Sequence, residues 1–317
     1  MDNNHIPIDA VIPWVDVGDA KHLEKVLKYI PKTEVERRKK LKKQLIEVEE
    51  LKYVVHSILK YAQFIRHIYI VTDNQRPKFL NTSNADVYAK VKIIDHKEIF
   101  KEDVPYLPVF NPLSIETKFY EIPNLSEHFI YFNDDFFLLK PVTQSHFFQK
   151  GNPVIRGKWR KFREDIFYKK IIQKKKHKKY SYRTSQDSSA KTIGFNKVFR
   201  GQHTPRPLRQ STLKTFFNQN REIEITNINT KFRNVEQLNV QAVANHIEIK
   251  NKTCLKVYNY QLVKITSHKR SIAWLYFFLN VLTKKRNAFF LNIQQLNLYS
   301  ENNRRFVLNW LENKFKI

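Results

Sequence analysis

The chain predicts an α/β fold with a central, mostly parallel sheet, on three observations. Short apolar runs alternate with stretches of helical periodicity. Several runs are apolar throughout, as suits strands buried on both faces. Most of them end in acidic residues, and in open α/β sheets ligands sit at the carboxyl ends of strands.

Ile8-Asp-Ala-Val-Ile-Pro-Trp-Val15 reads as the first strand and ends at Asp16-Val-Gly18-Asp19. Those residues suit a strand-end ligand site, or a turn built on Asp and Gly. Residues 20–50 form a charged helical region in which Arg37-Arg-Lys-Lys40 and Lys42-Lys43 read as a solvated face. Leu51, Val54, Val55, Ile58, Leu59 and Ala62 recur at helical spacing and predict a packed amphipathic helix over 50–62. Strands follow at 66–72, ending in Asp73-Asn74-Gln75, and at 90–95, followed by His96. A helix is predicted over 111–121, then a strand over 129–132.

That last strand runs into Asn133-Asp134-Asp135, and apolar residues resume at once. Adjacent carboxylates at a buried strand end repel each other and lose hydration. A divalent cation, or a phosphate with its metal, would relieve that cost; a solvated turn is the alternative.

Residues 156–183 contain thirteen Lys or Arg and two acids, interleaved with Trp159, Phe162, Phe167 and Tyr168. This reads as a basic arm over an anionic substrate, a mobile insertion or a solvated loop. The polar stretch 184–190 reads as a loop. Arg200, His203, Arg206 and Arg209 lie around Pro205, a good place for an imidazole working near phosphate, or a capped turn before a helix at 211–217. Lys231-Phe-Arg233 precedes another helical pattern at Leu238, Val240 and Val243. Near the end, His268-Lys-Arg270 and Lys284-Lys-Arg286 flank the aromatic-rich run 272–282. It suits a helix lying on an anionic membrane, or a core helix with basic ends.

The totals narrow the classes. At 317 residues, with 42% hydrophobic and 14% aromatic content, the chain is globular and able to bury a large core. With 5 glycines and neither a GxGxxG nor a Walker A pattern, dinucleotide-fingerprint and P-loop chemistry are excluded. The single Cys254 excludes a disulfide framework and multi-thiolate zinc sites, so a reducing compartment is expected. The beginning of the chain lacks signal-peptide character, and no apolar run reaches the roughly 18 to 20 residues of a membrane span. A net charge of +27 calls for an anionic partner.

Taken in order, these segments resemble one family. Residues 8–16 are similar to a pattern Ile-Asp-x-Val-x-Thr-Trp-Val-Asp-Gly. The stretch from Glu50 to Asp135 is similar to a second region, through 61–75, Leu107-Pro-Val-Phe-Asn111, Ile115-Glu-Thr117, Ile122-Pro-Asn-Leu-Ser126 and 129–135. His203-Thr-Pro205 with Lys231-Phe-Arg233 resembles a third, and 290–296 is the best placement for a fourth. These are the regions of the Stealth proteins, sugar-1-phosphate transferases that include bacterial capsular polysaccharide phosphotransferases and the catalytic subunit of the lysosomal N-acetylglucosamine-1-phosphotransferase. The chain departs from the pattern in three places. Gln44-Leu-Ile-Glu-Val48 replaces the usual Arg-Phe-Arg-Asp-Asn, Val17 displaces the first-region glycine to Gly18, and the fourth region shows no acid.

The resemblance implies a single catalytic domain over 1–317, with a Rossmann-like nucleotide-sugar-binding core at 6–150 and 190–250. The basic insertion covers about 156–183, and helical additions follow at about 255–317. It implies transfer of a hexose- or N-acetylhexosamine-1-phosphate from a UDP-sugar to a hydroxyl of a growing surface polysaccharide or lipid-linked acceptor. UMP leaves and a phosphodiester forms. Asp134 and Asp135 would hold Mg²⁺ or Mn²⁺, with Asp16 at a neighbouring strand end as a further metal or donor contact. His203 would act as base, or as nucleophile, and Arg233 and Arg206 would pair with phosphate oxygens. Glu50, Asp73, Asn74, Gln75, Asn111 and Glu116 are the expected substrate contacts. The expected location is the cytoplasm of a bacterium, at the inner face of its membrane, with peripheral contact through 268–286. Two alternatives stay open: a metal-dependent glycosyltransferase forming a plain glycosidic bond, and a nucleic-acid-binding protein suggested by charge alone. No specific nucleic-acid partner is expected, since no binding motif is present.

Overall fold

A computed structural model describes residues 6–31, 49–81, 85–166 and 180–316. Among the described residues, the central sheet has four parallel strands and one antiparallel edge strand. β1 (Ile8–Pro13) is buried from Ile8 to Ile12, as its largely apolar sequence requires, with Asp9 the one charged residue inside that span. It pairs in parallel with β2 (Ile65–Thr72), Val11 opposite Tyr69, and with β4 (His128–Tyr131), Ala10 opposite Ile130. β3 (Val91–Asp95) extends the parallel set beside β2. β9 (Arg206–Arg209) closes the other side antiparallel, Ile130 opposite Pro207. The expected mostly parallel sheet is therefore present, and it brings the carboxyl ends of β1 to β4 to one edge.

The connections explain the parallel order. After α1 (Ala20–Leu27), α2 (Glu50–Tyr61) buries Leu51, Val54, Val55 and Ile58, one stripe at helical spacing, against the core. α3 (His96–Phe100) starts directly from β3, where Asp95 and Glu98 form a capping box. α4 (Pro112–Thr117) is capped by the Asn111 side chain and carries a proline at its start, so the predicted helix over 111–121 is shorter, ending in a 3₁₀ turn at Phe119–Glu121. At the opposite end of the sheet, the fully buried Asp9 accepts from Arg66 Nε and Nη2 at 3.0 and 2.7 Å and from the Ser126 amide at 2.7 Å. That acid holds the amino ends of the strands together.

Two further sheets flank the core. β5 (Phe136–Leu138) is antiparallel to β12 (Phe290–Ile293), which is parallel to β11 (Leu262–Ile265). β6 (Phe148–Gln149), β7 (Asn152–Arg160), β8 (Val198–Gly201) and β10 (Leu255–Val257) form the other.

The structure corrects two expectations. The polar stretch 184–190 is not a loop but lies inside α5 (Tyr182–Thr192), started by a capping box at Ser181. It buries Ser185, Gln186, Asp187 and Ser189, and the Ser189 hydroxyl donates to the Asn239 carbonyl and accepts from the Asn239 amide. Hydrogen bonds to a neighbouring helix replace the apolar stripe that periodicity looks for. The basic stretch is not uniformly an arm either. Residues 156–160 belong to β7, where the Arg156 guanidinium is packed 5.8 and 5.0 Å from the Phe147 and Phe290 rings. Residues 167–179 of that stretch, and 32–48, lie outside the described residues.

Toward the end follow α6 (Gln210–Gln219), α7 (Arg221–Ile228), α8 (Val240–Lys250), α9 (Ile272–Asn280) and α10 (Glu301–Phe315). Of these, α9 and α10 lie in the 255–317 part where helical additions are expected, and that part also carries β10, β11 and β12. Among the described residues no helix is long and apolar enough to cross a membrane.

Candidate active site

The carboxyl edge of the sheet opens into a cavity of about 740 Å³. Its wall includes Pro13 and Trp14 after β1, Asp73 after β2, His96 after β3, and Asn133 and Asp134 after β4. α4 contributes Asn111 to Glu116 in part, and the far wall is built from Tyr180, Tyr182, His203, Arg206, Arg233 and Gln241. Seven of the expected site residues thus meet in one space: Asp73, Asn111, Glu116, Asp134, His203, Arg206 and Arg233.

Asp134 and Asp135 follow β4 because the strand's apolar run ends where the chain turns into β5. Burial raises both carboxyls well above the usual range, and for Asp135 the neighbouring Asp134 charge adds to it. Glu50, at the first turn of α2, is raised well above its ordinary value by burial and then by those two acids, so the three carboxyls sense one another. The Asp135 Oδ1 is buried without a hydrogen-bond partner. Asn292 on β12 donates to the Asp135 carbonyl at 3.2 Å, which places the weakly matched fourth region against the acid pair. Among the described residues, no group of three His, Cys, Asp or Glu side chains is placed to hold a metal ion by itself. The arrangement fits a hard divalent cation that takes Asp134 and Asp135 and completes its shell with ligand oxygens.

His203 lies in the segment between β8 and β9. Its ring is stacked on Tyr182 and meets Phe136 edge-on at 6.1 Å. Burial, then the charges of Lys264 and Arg206, push its pKa down to about 3, so the imidazole is neutral at physiological pH. Arg206 is buried; it donates to Gln241 Oε1 at 2.7 Å, to the Gln202 carbonyl at 2.9 Å and to the Tyr182 hydroxyl. Its fork is largely engaged in building the wall. Arg233, by contrast, is exposed over the Tyr180 ring at 5.6 Å and makes no ion pair with a described residue.

Glu116 is buried and accepts from the Tyr131 hydroxyl at 2.8 Å and from Gln241 Nε2 at 2.5 Å. Burial raises its carboxyl to about 7, against those hydrogen bonds and the Arg206 and Arg233 charges. Asn111 caps α4 and ties it to the Thr230 carbonyl at 2.9 Å. Asp73 is ion-paired with Lys25 at 2.9 Å.

The remaining expected residues stand at the rim or behind the wall. The Asp16 carboxylate accepts from the Gly18 amide at 2.7 Å, closing its own turn. Gln75 accepts from the Asp16 amide at 2.9 Å and donates to the Asp16 carbonyl at 3.1 Å and to Asp19 at 3.0 Å. Asn74 is exposed, in the left-handed region at φ 52°, with its amide donating to Asp95. Tyr182, Gln241 and Lys264 were not anticipated. Tyr182 follows the basic stretch, Gln241 lies within an apolar helical pattern and Lys264 is one of many lysines, so none carried a local signal.

Residues 44–155 match Stealth protein CR2, conserved region 2. Over 148 residues, 46% of this chain and 39% of the relative, the sequence is 45% identical to the capsular polysaccharide phosphotransferase fcs1 of Haemophilus influenzae. It is 41% identical over 143 residues, 45% of this chain and 40% of the relative, to the exopolysaccharide phosphotransferase cps2G of Lactiplantibacillus plantarum. The aligned part thus spans about two-fifths of such relatives. Among solved structures, the galactosyltransferase LgtC, in complex with donor and acceptor sugar analogs, aligns over 98% of this chain and 96% of its own, with 10% identity and a TM-score of 0.47. The glycosyltransferase GlyE of Streptococcus pneumoniae aligns over 96% and 60%, with 8% identity and a TM-score of 0.43. The segment that builds β4 and the acid pair thus lies within the stretch that is similar to conserved region 2 of the Stealth proteins.

Proposed function

We propose that the protein transfers a sugar-1-phosphate from a UDP-sugar to a hydroxyl of a capsular or other surface polysaccharide. The observation that carries this reading is the meeting of Asp134, a neutral His203 and the unpaired Arg233 in one cavity. It is supported by relatives named as polysaccharide phosphotransferases.

In this reading the acceptor oxygen attacks the β-phosphorus. Its proton passes to a free nitrogen of His203, and neither ring nitrogen is hydrogen-bonded to a described residue. The bond from the β-phosphorus to the bridging oxygen breaks, and UMP leaves with that electron pair. Arg233 at the rim pairs with phosphoryl oxygens, and Arg206 and Lys264 supply a fixed positive field. The Mg²⁺ or Mn²⁺ that Asp134 and Asp135 would hold supplies charge neutralisation on the diphosphate. A low pKa makes His203 a weak base alone, but a bound diphosphate offsets the Lys264 and Arg206 charges and raises it.

Incubation with a panel of UDP-sugars and an oligosaccharide acceptor, with nucleotide release and phosphorus NMR as readouts, tests the proposal. UMP and a new phosphodiester signal are expected. UDP release with no phosphorus in the product would instead support a plain glycosyltransferase.

We further propose that the protein works at the inner face of a bacterial membrane. On α9, Ile272, Tyr276 and Phe277, with Val281 just after it, are about half exposed, while Leu275 and Leu279 are buried beneath them. Lys269 and Arg270 precede the helix, and Lys284, Lys285 and Arg286 follow it. All five are exposed and none is ion-paired with a described acid. An apolar face with a basic residue cluster at each end matches an anionic lipid surface. Co-sedimentation with phosphatidylglycerol vesicles but not phosphatidylcholine vesicles is expected, with loss in a Tyr276→Ser, Phe277→Ser double variant. Equal binding to both lipids would overturn it.

A further inference from the structure

The cavity has a second chemical character away from the acid pair and His203. In the sheet order β3-β2-β1-β4, His96 follows β3 and Asp134 follows β4, three strand spacings apart. At about 4.8 Å per spacing this is roughly 14 Å, about the reach of a nucleoside diphosphate from base to terminal phosphate. The phosphate chemistry belongs to the β4–β9 side, where Arg206 and Lys264 lie near His203.

At the β2–β3 end, the wall is apolar and aromatic but carries two imidazoles. His96 is 5% exposed at the start of α3, and its Nε2 is enclosed without a partner. His22 on α1 meets the Phe110 ring edge-on at 5.8 Å, and its Nδ1 is also enclosed without a partner. No hydrogen bond joins either ring to a described residue, so the second nitrogen of each is unengaged. The cation nearby, Lys25, is already paired with Asp73 at 2.9 Å. Trp14 lines this end, and Phe110 stacks on Phe232 at 5.5 Å.

Flat apolar surfaces, unengaged imidazole nitrogens and a lysine already paired with Asp73 describe a site for a neutral heteroaromatic ring with polar edges rather than for a phosphate. Resting on the functional reading above, we infer that His22 and His96 form the nucleobase end of the donor site and select a pyrimidine ring by its edge. Burial pushes both imidazoles down, His96 to about 4, despite the Asp73 charge. Neutral rings can each present a donor or an acceptor, as the alternating edge of a uracil needs.

Calorimetric binding of UDP, CDP and inorganic pyrophosphate to the whole protein tests this, using the wild type and His22→Phe and His96→Phe. Each substitution keeps a ring and removes the nitrogens. The expected result is a UDP dissociation constant raised at least tenfold, a narrower preference for UDP over CDP, and pyrophosphate binding within twofold of wild type. Unchanged UDP binding, or equal weakening of UDP and pyrophosphate, would overturn it. Should either variant fail to fold, the wild type decides by imidazole nitrogen NMR. UMP should shift both histidines where ribose-5-phosphate does not, and two unmoved rings would sink the assignment. Wild-type release of UMP from a UDP-sugar with unmoved histidines refutes this inference alone. Failure to bind UDP or to turn over any UDP-sugar refutes the functional reading and this inference with it.

Discussion

The His203 imidazole lies face to face with the Tyr182 ring, centroids 5.0 Å apart and planes 23° apart. Tyr182 in turn accepts a hydrogen bond from the buried Arg206. One aromatic ring therefore sets the orientation of the proposed base and fixes the guanidinium beside it.

Replacing His203 by Ala is expected to lower kcat for UMP release by about 10²–10⁴-fold, the usual worth of a positioned general base. Thermal stability should change little, because the ring bonds to no described residue. Turnover within threefold of wild type would remove His203 from the mechanism. Tyr182→Phe keeps the stacking surface and is expected to cost far less.

Divalent-cation affinity should depend on pH. Burial holds the Asp134 and Asp135 carboxyls above their ordinary range, so a cation must displace a proton there. Apparent Mn²⁺ affinity is expected to climb from about pH 5.5 to about pH 7.5, above the usual carboxylate pKa of about 4. Asp135→Asn should abolish most of the binding. A flat titration with pH, or activity indifferent to EDTA, would contradict the assignment.

Glu116 predicts a stability slope. Its folded pKa of about 7 lies above the ordinary 4.5, so the folded state holds a proton that the unfolded chain releases between those values. Its contribution to stability is full below about 4.5 and declines until about 7. Glu116→Gln, whose amide can donate to a reoriented Tyr131 hydroxyl, should be neutral at pH 4.5. At pH 8 it should stabilise by at most about 3 kcal/mol. Melting curves of both proteins across that range read this directly, and parallel curves would contradict it.

Lys118 is buried between Asp103, at 3.0 Å, and Glu224, at 2.8 Å, and Glu224 also accepts from the Tyr120 hydroxyl at 2.6 Å. Lys118→Met strands two carboxylates with the half-exposed Arg221 as their remaining cation among the described residues. A loss of about 3–5 kcal/mol in urea unfolding is expected. A loss below 1 kcal/mol would show that the network contributes little.

The sequence by itself determined the parallel core and the strand-end acids. Runs such as Ala10 to Ile12 and Phe129 to Phe132 are satisfied by burial on both faces, and Leu51, Val54, Val55 and Ile58 leave one way to cover them. Asp134, Asp135, His203 and Arg233 were legible because such residue types are costly or conspicuous beside apolar strands. Tertiary structure alone decided the rest. It showed that Asp9 clamps the opposite end of the sheet and that Asp16 closes a turn. It turned a polar stretch into the helix carrying Tyr182, and it placed Gln241 between Glu116 and Arg206. Local periodicity reports which residues leave water. Which polar groups then face one another depends on strand order and on contacts more than a hundred residues apart, and no local pattern encodes those.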